Sequence, residues 1–315
     1  MTASLPPVGG AADRWVRREP LAGDASSRRY WRLTDRRGRT AILAEYPPDL
    51  RPVLARDLEV MSWLAGAGLR LPAVLDHDLA AGRALLEDLG PADAEATLRA
   101  APLAERLELA AVLLSPLELL AAQPAESLPT WNRPLDAARL RWELAGFELP
   151  FVRYRQGVTP EPALDRFLDD LAEELAGHPR RICHRDFHLN NLYLVGSGEV
   201  AVIDAQDALI GPDAYDAVSL LEERAMPELL GDGDRDTLRR AWARRTRAAD
   251  GWERRWPHVR VQRALKVLGT FARLEAAGRT AYTGWMGSIA GRLAADADAL
   301  ALPGAVVDRL LDWEG

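Results

Sequence analysis

Apolar positions in the first ninety residues alternate or come in short runs, whereas beyond them they recur every three or four residues. Arg29-Tyr30-Trp31-Arg32-Leu33 alternates, Asp35-Arg36-Arg37-Gly38 reads as a turn, and Ala41-Ile42-Leu43-Ala44 reads as a second strand, so residues 14–46 start a β-sheet. Val53, Leu54, Leu58, Met61 and Leu64 are spaced for a helix over 53–67. Leu71-Pro72-Ala73-Val74-Leu75 and Ala84-Leu85-Leu86 predict two more strands, and Leu86-Glu87-Asp88-Leu89-Gly90-Pro91 closes the sheet with a hinge. From residue 91 onward the pattern predicts helices over 102–122, 162–176, 215–230, 234–248, 258–277 and 284–300, with one hairpin as the sole exception and an ordered loop at 124–134. The fold class is therefore α+β and bilobal: a small β-rich lobe over 1–89 and a larger, mainly helical lobe over 90–315.

The hairpin carries the chemistry. Asn191-Leu192-Tyr193-Leu194-Val195 and Val200-Ala201-Val202-Ile203 are short apolar, β-branched runs separated by Gly196-Ser197-Gly198-Glu199. His184-Arg185-Asp186-Phe187-His188-Leu189-Asn190-Asn191 precedes the turn, and Ile203-Asp204 follows it. The pattern H-R-D-x-x-x-x-N with a later Asp is the arrangement by which kinases set a base and magnesium against ATP. Folding the hairpin brings Asp204 back beside Asn191, so both reach one Mg²⁺, a hard cation that takes oxygen ligands. Asp186 is the candidate catalytic base. Asn191 and Asp204 are the candidate metal ligands.

Composition narrows the partners. At 315 residues, 48% hydrophobic and 28% charged, the chain has the makeup of a globular enzyme with room for two cores. Its net charge of −7 argues against a nucleic-acid partner. Cys183 is the one cysteine, which excludes an intrachain disulfide and fits a reducing cytoplasm. Residues 1–13 lack a cationic start and an apolar stretch of secretory type, and no apolar run approaches the ~20 residues that span a bilayer. The expectation is a cytoplasmic protein with small-molecule partners and no obligate protein partner.

Asp204 lies only nine residues before Asp213 and twelve before Asp216, which leaves no room for a peptide-binding activation segment. G-x-G-x-x-G and V-A-I-K are both absent. A small-molecule acceptor is thus preferred over a protein.

The phosphate-binding cation needs a separate account, because the chain has 39 Arg against a single Lys, Lys266, and none in the small lobe. Gly23-Asp24-Ala25-Ser26-Ser27 is a small polar loop that lets backbone amides approach phosphate. Arg28, Arg29 and Arg32 beside it are the candidates for the missing charge, with Arg28 nearest the loop, and Glu59 on the 53–67 helix is the candidate acid to orient it. Glu87 and Leu89 at the hinge are placed to present backbone groups to adenine. His184 reads as a brace for the loop. His188 reads as either a brace or a substrate contact, Asp207 as either a supporting carboxylate or a substrate contact, and Asp216 as a scaffold group opening a helix. Lys266 reads as either a surface cation or a substrate contact. Trp131-Asn132-Arg133 and Trp142-Glu143 offer a stacking face and polar groups for a sugar.

Four segments besides the catalytic loop carry a family resemblance: Gly23-Asp24-Ala25-Ser26-Ser27-Arg28-Arg29-Tyr30-Trp31-Arg32, Leu86-Glu87-Asp88-Leu89-Gly90, Ile203-Asp204-Ala205-Gln206-Asp207-Ala208 with Gly211-Pro212, and Gln262-Arg263-Ala264-Leu265-Lys266-Val267-Leu268-Gly269-Thr270-Phe271-Ala272-Arg273-Leu274. Together they resemble the aminoglycoside phosphotransferase and choline kinase superfamily, and within it the bacterial kinases that phosphorylate N-acetylmuramate and N-acetylglucosamine at C1 during peptidoglycan recycling. The resemblance implies a protein-kinase-like fold, ATP and Mg²⁺ as cosubstrate and cofactor, and an amino-sugar acceptor. Ala205 stands where the family often has an aromatic residue, which alters packing but removes no ligand. An aminoglycoside or other small-alcohol kinase, and a nucleotide-binding scaffold without turnover, are the competing readings.

Overall fold

The computed structural model describes residues 14–21, 28–129, 132–196 and 198–313. The expected phosphate loop with Ser26 and Ser27, as well as Trp131 and Ser197, lies outside them.

Five strands, β1 (Trp15–Pro20), β2 (Arg29–Asp35), β3 (Thr40–Glu45), β4 (Val74–Asp78) and β5 (Arg83–Glu87), form one antiparallel sheet in the order β1-β2-β3-β5-β4. α1 (Arg51–Gly66) crosses between β3 and β4. Alternation puts Leu33, Ala41, Leu43 and Leu85 on one side of the sheet, and Ala44, Ala84 and Tyr46 on the other, where Leu54 of α1 covers them. The predicted strand at 71–75 forms three residues later, as β4. Leu69 and Leu71 instead turn into the large core shared with the helical part, joined there by Val60 and Leu64 of α1. The sheet and the helices are therefore packed through α1, and α1 rests on the short 3-10 turn Ala205–Asp207.

The helical part contains α2 (Ala94–Ala100), α3 (Leu103–Val112), α4 (Ser115–Ala121), α5 (Ala137–Gly146), α6 (Pro162–Ala176), α7 (Tyr215–Glu222), α8 (Met226–Leu229), α9 (Asp232–Arg245), α10 (Trp252–Ala276), α11 (Thr283–Ala295) and α12 (Gly304–Leu311). The helix expected over 102–122 is broken because Pro116 lacks an N–H and opens α4 as a new first turn. The one expected over 215–230 breaks at Arg224, whose φ of 51° is left-handed. α2, α5 and α12 were not predicted, nor was the π-helix Phe147–Arg155 that continues α5 and buries Phe147 and Phe151.

A second correction concerns strands. Besides the hairpin of β7 (Leu192–Val195) and β8 (Glu199–Val202), β6 (Arg180–Cys183) pairs antiparallel with β9 (Leu209–Pro212), Cys183 opposite Leu209. That ladder clamps both ends of the segment 184–208. On the far side Val202 donates its N–H to the Arg70 carbonyl at 2.8 Å, which ties the hairpin to the chain between α1 and β4.

Candidate active site

The hairpin register pairs Leu192 with Val202, and Ile203 N–H donates to the Asn191 carbonyl at 2.9 Å. Asn191 and Asp204 therefore sit side by side, as turn chemistry alone requires. Asn191 Nδ2 reaches back to the Asp186 carbonyl at 2.9 Å, and His184 Nε2 is 2.9 Å from the Ile203 carbonyl. Three short links thus join the expected base, amide and acid into one unit.

The loop holding Asp186 is fixed from below. The buried Asp216 carboxylate accepts the N–H groups of His184 at 2.6 Å and Arg185 at 2.9 Å. Arg185 has φ of +80°, a left-handed conformation unfavourable for a residue with a Cβ. Its carbonyl accepts Arg263 Nη1 at 2.9 Å, and its own guanidinium donates to Glu143 Oε1 at 2.8 Å. Held at three points, the strained residue turns the chain and presents Asp186.

Arg263 is fully buried in α10, with Glu223 at 2.5 Å and Ser219 at 2.8 Å as further partners. Glu143 also gathers Gln262 Nε2 at 3.1 Å, the Tyr215 hydroxyl at 3.3 Å and, at 3.9 Å, Lys266 Nζ. Lys266 in turn lies 3.3 Å from the Tyr215 hydroxyl. Glu143, considered for a sugar contact, is thus the buried hub of this network, while its neighbour Trp142 is 69% exposed.

These cations set the charge of the site. Burial pushes Asp186 up, but the positive field of Lys266, Arg263 and Arg185 outweighs it and holds Asp186 well below the usual carboxylate range. Asp186 is therefore ionised at neutral pH. Burial, and then the nearby Arg224, push His188 well below the ordinary imidazole value, so it is neutral. It is buried against Asn191 Nδ2 at 3.4 Å. Asp204, at φ 61°, shifts the other way: burial and the Asp186 charge raise it, despite the Gln206 amide bonded to Oδ1. The Asp204 carboxylate and the Asn191 amide beside it offer oxygen donors of the kind a hard divalent cation takes.

Arg28 is the cation of the expected trio that faces this acid. Its Nη1 is 3.9 Å from Asp204 Oδ1 and its Nη2 is 3.1 Å from Asp57 Oδ2, with the guanidinium 5.1 Å over the Tyr46 ring. The orienting acid is Asp57 and not Glu59, which is exposed. Two residues turn an α-helix by about 200°, so the two acids point apart, and Asp57 lies on the buried stripe with Leu54, Val60 and Leu64. Arg29 is exposed at the start of β2, opposite Glu45. Arg32 is taken up by Asp88, at 2.6 and 2.9 Å, and by the Gly90 carbonyl. At the hinge, Glu87 is paired with Arg70 at 2.8 Å and accepts the Ala73 N–H at 3.0 Å, so its side chain is committed to structure. Leu89 is half-buried beyond it. Asp207 is half-buried, and its negative charge is felt by Asp57 and by Arg139 of α5.

Asp57, Asp216, Glu143, Arg263 and Glu223 are the residues that sequence reading missed or left without a partner. A signal existed for two of them: Asp57 falls on an apolar stripe, and Arg263 lies between Val261 and Leu265 in the middle of a buried helix face.

Residues 17–258 match a known family over most of the chain. The chain belongs to the phosphotransferase enzyme family. This phosphotransferase is 34% identical over 273 residues to an N-acetylmuramate/N-acetylglucosamine kinase of Neisseria meningitidis serogroup B, covering 80% of this chain and 77% of that one. It is 31% identical over 280 residues to the kinase of the same name from Pseudomonas aeruginosa, covering 81% and 76%. In three dimensions it is similar to a thermostable mutant of aminoglycoside phosphotransferase APH(4)-Ia, with a TM-score of 0.59 at 19% identity over 92% of this chain and 96% of that one. The bilobal, protein-kinase-like fold follows. Among the described residues, no helix of the phosphotransferase is long and apolar enough to cross a membrane.

Proposed function

We propose that this phosphotransferase moves the γ-phosphoryl group of ATP to the anomeric hydroxyl of N-acetylmuramate, N-acetylglucosamine or both, in the cytoplasm. The observation that carries the reading is the ionised Asp186 held beside Asn191 and Asp204, combined with relatives of that activity at 34% and 31% identity.

In this reading Asp186 accepts the proton of the acceptor hydroxyl as that oxygen bonds the γ-phosphorus. The bond from the γ-phosphorus to the β–γ bridging oxygen breaks, and ADP leaves with its electron pair. A carboxylate well below its usual pKa is a weak base, so its main contribution is orientation, with proton transfer late along the reaction. Asn191 and Asp204 would hold Mg²⁺, which when bound supplies positive charge to the phosphate oxygens. Arg28 would serve the nucleotide phosphates with a planar fork in place of a lysine. Arg28, a cation beside Asp204, weighs against the scaffold reading.

A coupled ADP-release assay with MgATP and a panel of N-acetylmuramate, N-acetylglucosamine, choline and kanamycin tests the proposal. Turnover on an amino sugar with a free C1 hydroxyl, lost on its 1-O-methyl glycoside, is the expected result. Preference for kanamycin or choline would replace it, and nucleotide binding without turnover on any acceptor would favour the scaffold.

A further inference from the structure

Away from the cleft, three metal-ligating side chains converge where the end of α6 meets the second turn of α10. Glu174 lies in the last turn of α6, His178 follows its Gly177 cap, and His258 belongs to α10. One ligand atom from each lies within 4.8 Å of the others. His178 Nε2 is 3.7 Å and His258 Nδ1 3.5 Å from the same Glu174 Oε1. Donors at about 2.0–2.1 Å around a tetrahedral metal stand roughly 3.4 Å apart, so two edges are nearly in place. A small rotation of the half-exposed His258 ring would close the third.

The second observation is His178 itself. It is 4% exposed, and neither ring nitrogen has a hydrogen-bond partner among the described residues; His258 Nδ1 is in the same state. A buried imidazole with both nitrogens unsatisfied is desolvated without compensation. The surrounding charges do not supply it. Asp213 Oδ2 accepts from Arg255 Nη2 at 2.9 Å, and neither Asp213 oxygen bonds the ring.

We propose that Glu174, His178 and His258 form a binding site for a divalent transition-metal cation, zinc by donor type, which pins the end of α6 to α10. Two imidazoles and one carboxylate suit borderline cations, whereas Mg²⁺ and Ca²⁺ take oxygen sets. The C-terminal end of α6 adds partial negative charge favourable to a cation. The site braces the same α10 that carries Arg263 and Lys266 into the cleft.

The test uses the full chain, stripped of metal and titrated with Zn²⁺ against a chromophoric chelator, with thermal unfolding in parallel. Expected are one Zn²⁺ per chain and a Tm rise of about 4 °C at a hundredfold excess over Kd. Glu174→Gln and His258→Ala, both at accessible positions, are expected to weaken zinc by at least ~10-fold and to leave MgATP turnover in chelator unchanged. Asp204→Asn is expected to leave the zinc affinity as it was. Equal affinity in Glu174→Gln and His258→Ala, loss of zinc in Asp204→Asn, or no Tm rise in the wild type would each overturn the proposal.

Discussion

Arg28 Nη2 lies 3.1 Å from Asp57 Oδ2, which joins the first residue described after the expected phosphate loop to the buried face of α1. The pair leaves Nη1 turned to Asp204, so Arg28 is expected to matter for nucleotide more than its neighbours do. Arg28→Ala should raise KM for ATP by at least ~10-fold, the loss of one charged hydrogen bond, whereas Glu59→Ala should change it by less than about twofold. Steady-state kinetics at fixed acceptor decides this, and equal effects of the two variants would sink it.

Asp57 also predicts a pH dependence. Burial lifts its pKa to about 6, against the opposing pull of Arg28 and the Tyr46 hydroxyl at 2.7 Å. The value in an unfolded chain is 3.8, so between about pH 4 and pH 6 the folded protein holds more protons than the unfolded one. Stability contributed by this group therefore falls as pH rises through that window and levels off above it, by about 3 kcal/mol at most. Urea unfolding at steps across the window should show the wild type losing ground to Asp57→Asn. Parallel profiles would show that Asp57 titrates normally.

Asp186→Asn keeps the size of the side chain and the backbone link to Asn191 but removes its charge. Turnover is expected to drop by at least ~100-fold while ATP affinity changes little. Single-turnover kinetics and nucleotide titration separate the two, and a variant that turns over normally would take Asp186 out of the reaction.

Arg263→Met should be costly, because it strands the Glu223 carboxylate in the interior and frees the Arg185 carbonyl. Breaking a buried pair from one side destabilises by about 3–5 kcal/mol, and the double variant with Glu223→Leu should recover part of that. Chemical denaturation of the two variants checks the stability. If the Arg185 turn depends on Arg263, the folded fraction of the single variant should also show reduced turnover.

Gly269 of α10 faces Gly146 at the α5 junction with the π-helix. A Cβ there would meet the Gly146 carbonyl carbon at 2.1 Å and Phe147 N at 2.5 Å, which are backbone atoms and cannot swing aside. Gly269→Ala is expected to destabilise by about 3 kcal/mol or more, seen as a lowered Tm. An unchanged Tm would mean the helices do not cross this closely.

Much of this site was legible before any fold was known. The hairpin turn, with Gly196 and Gly198 at positive φ, returned Asp204 to Asn191 as its residues imply. Other signals were present and went unread. Asp93 and Asp136 each accept an N–H three residues on and open α2 and α5, but apolar spacing in those short helices is too sparse to announce them. Ile182-Cys183 reads as a strand end, but its pairing with β9 is not legible, because strands of four residues pair here across the whole catalytic segment.

Chain order alone determined the alternating sheet, the acid–amide–acid spacing and the turn between them, since hydrogen-bond period and turn geometry act over a few residues. Which arginine meets Asp204, that Asp57 rather than Glu59 orients it, and that Asp216, Arg263 and Glu143 hold the strained Arg185 were decided only in the folded molecule. Those contacts join distant segments whose facing sides are set by packing, and a buried charge takes whatever partner the packing leaves within reach.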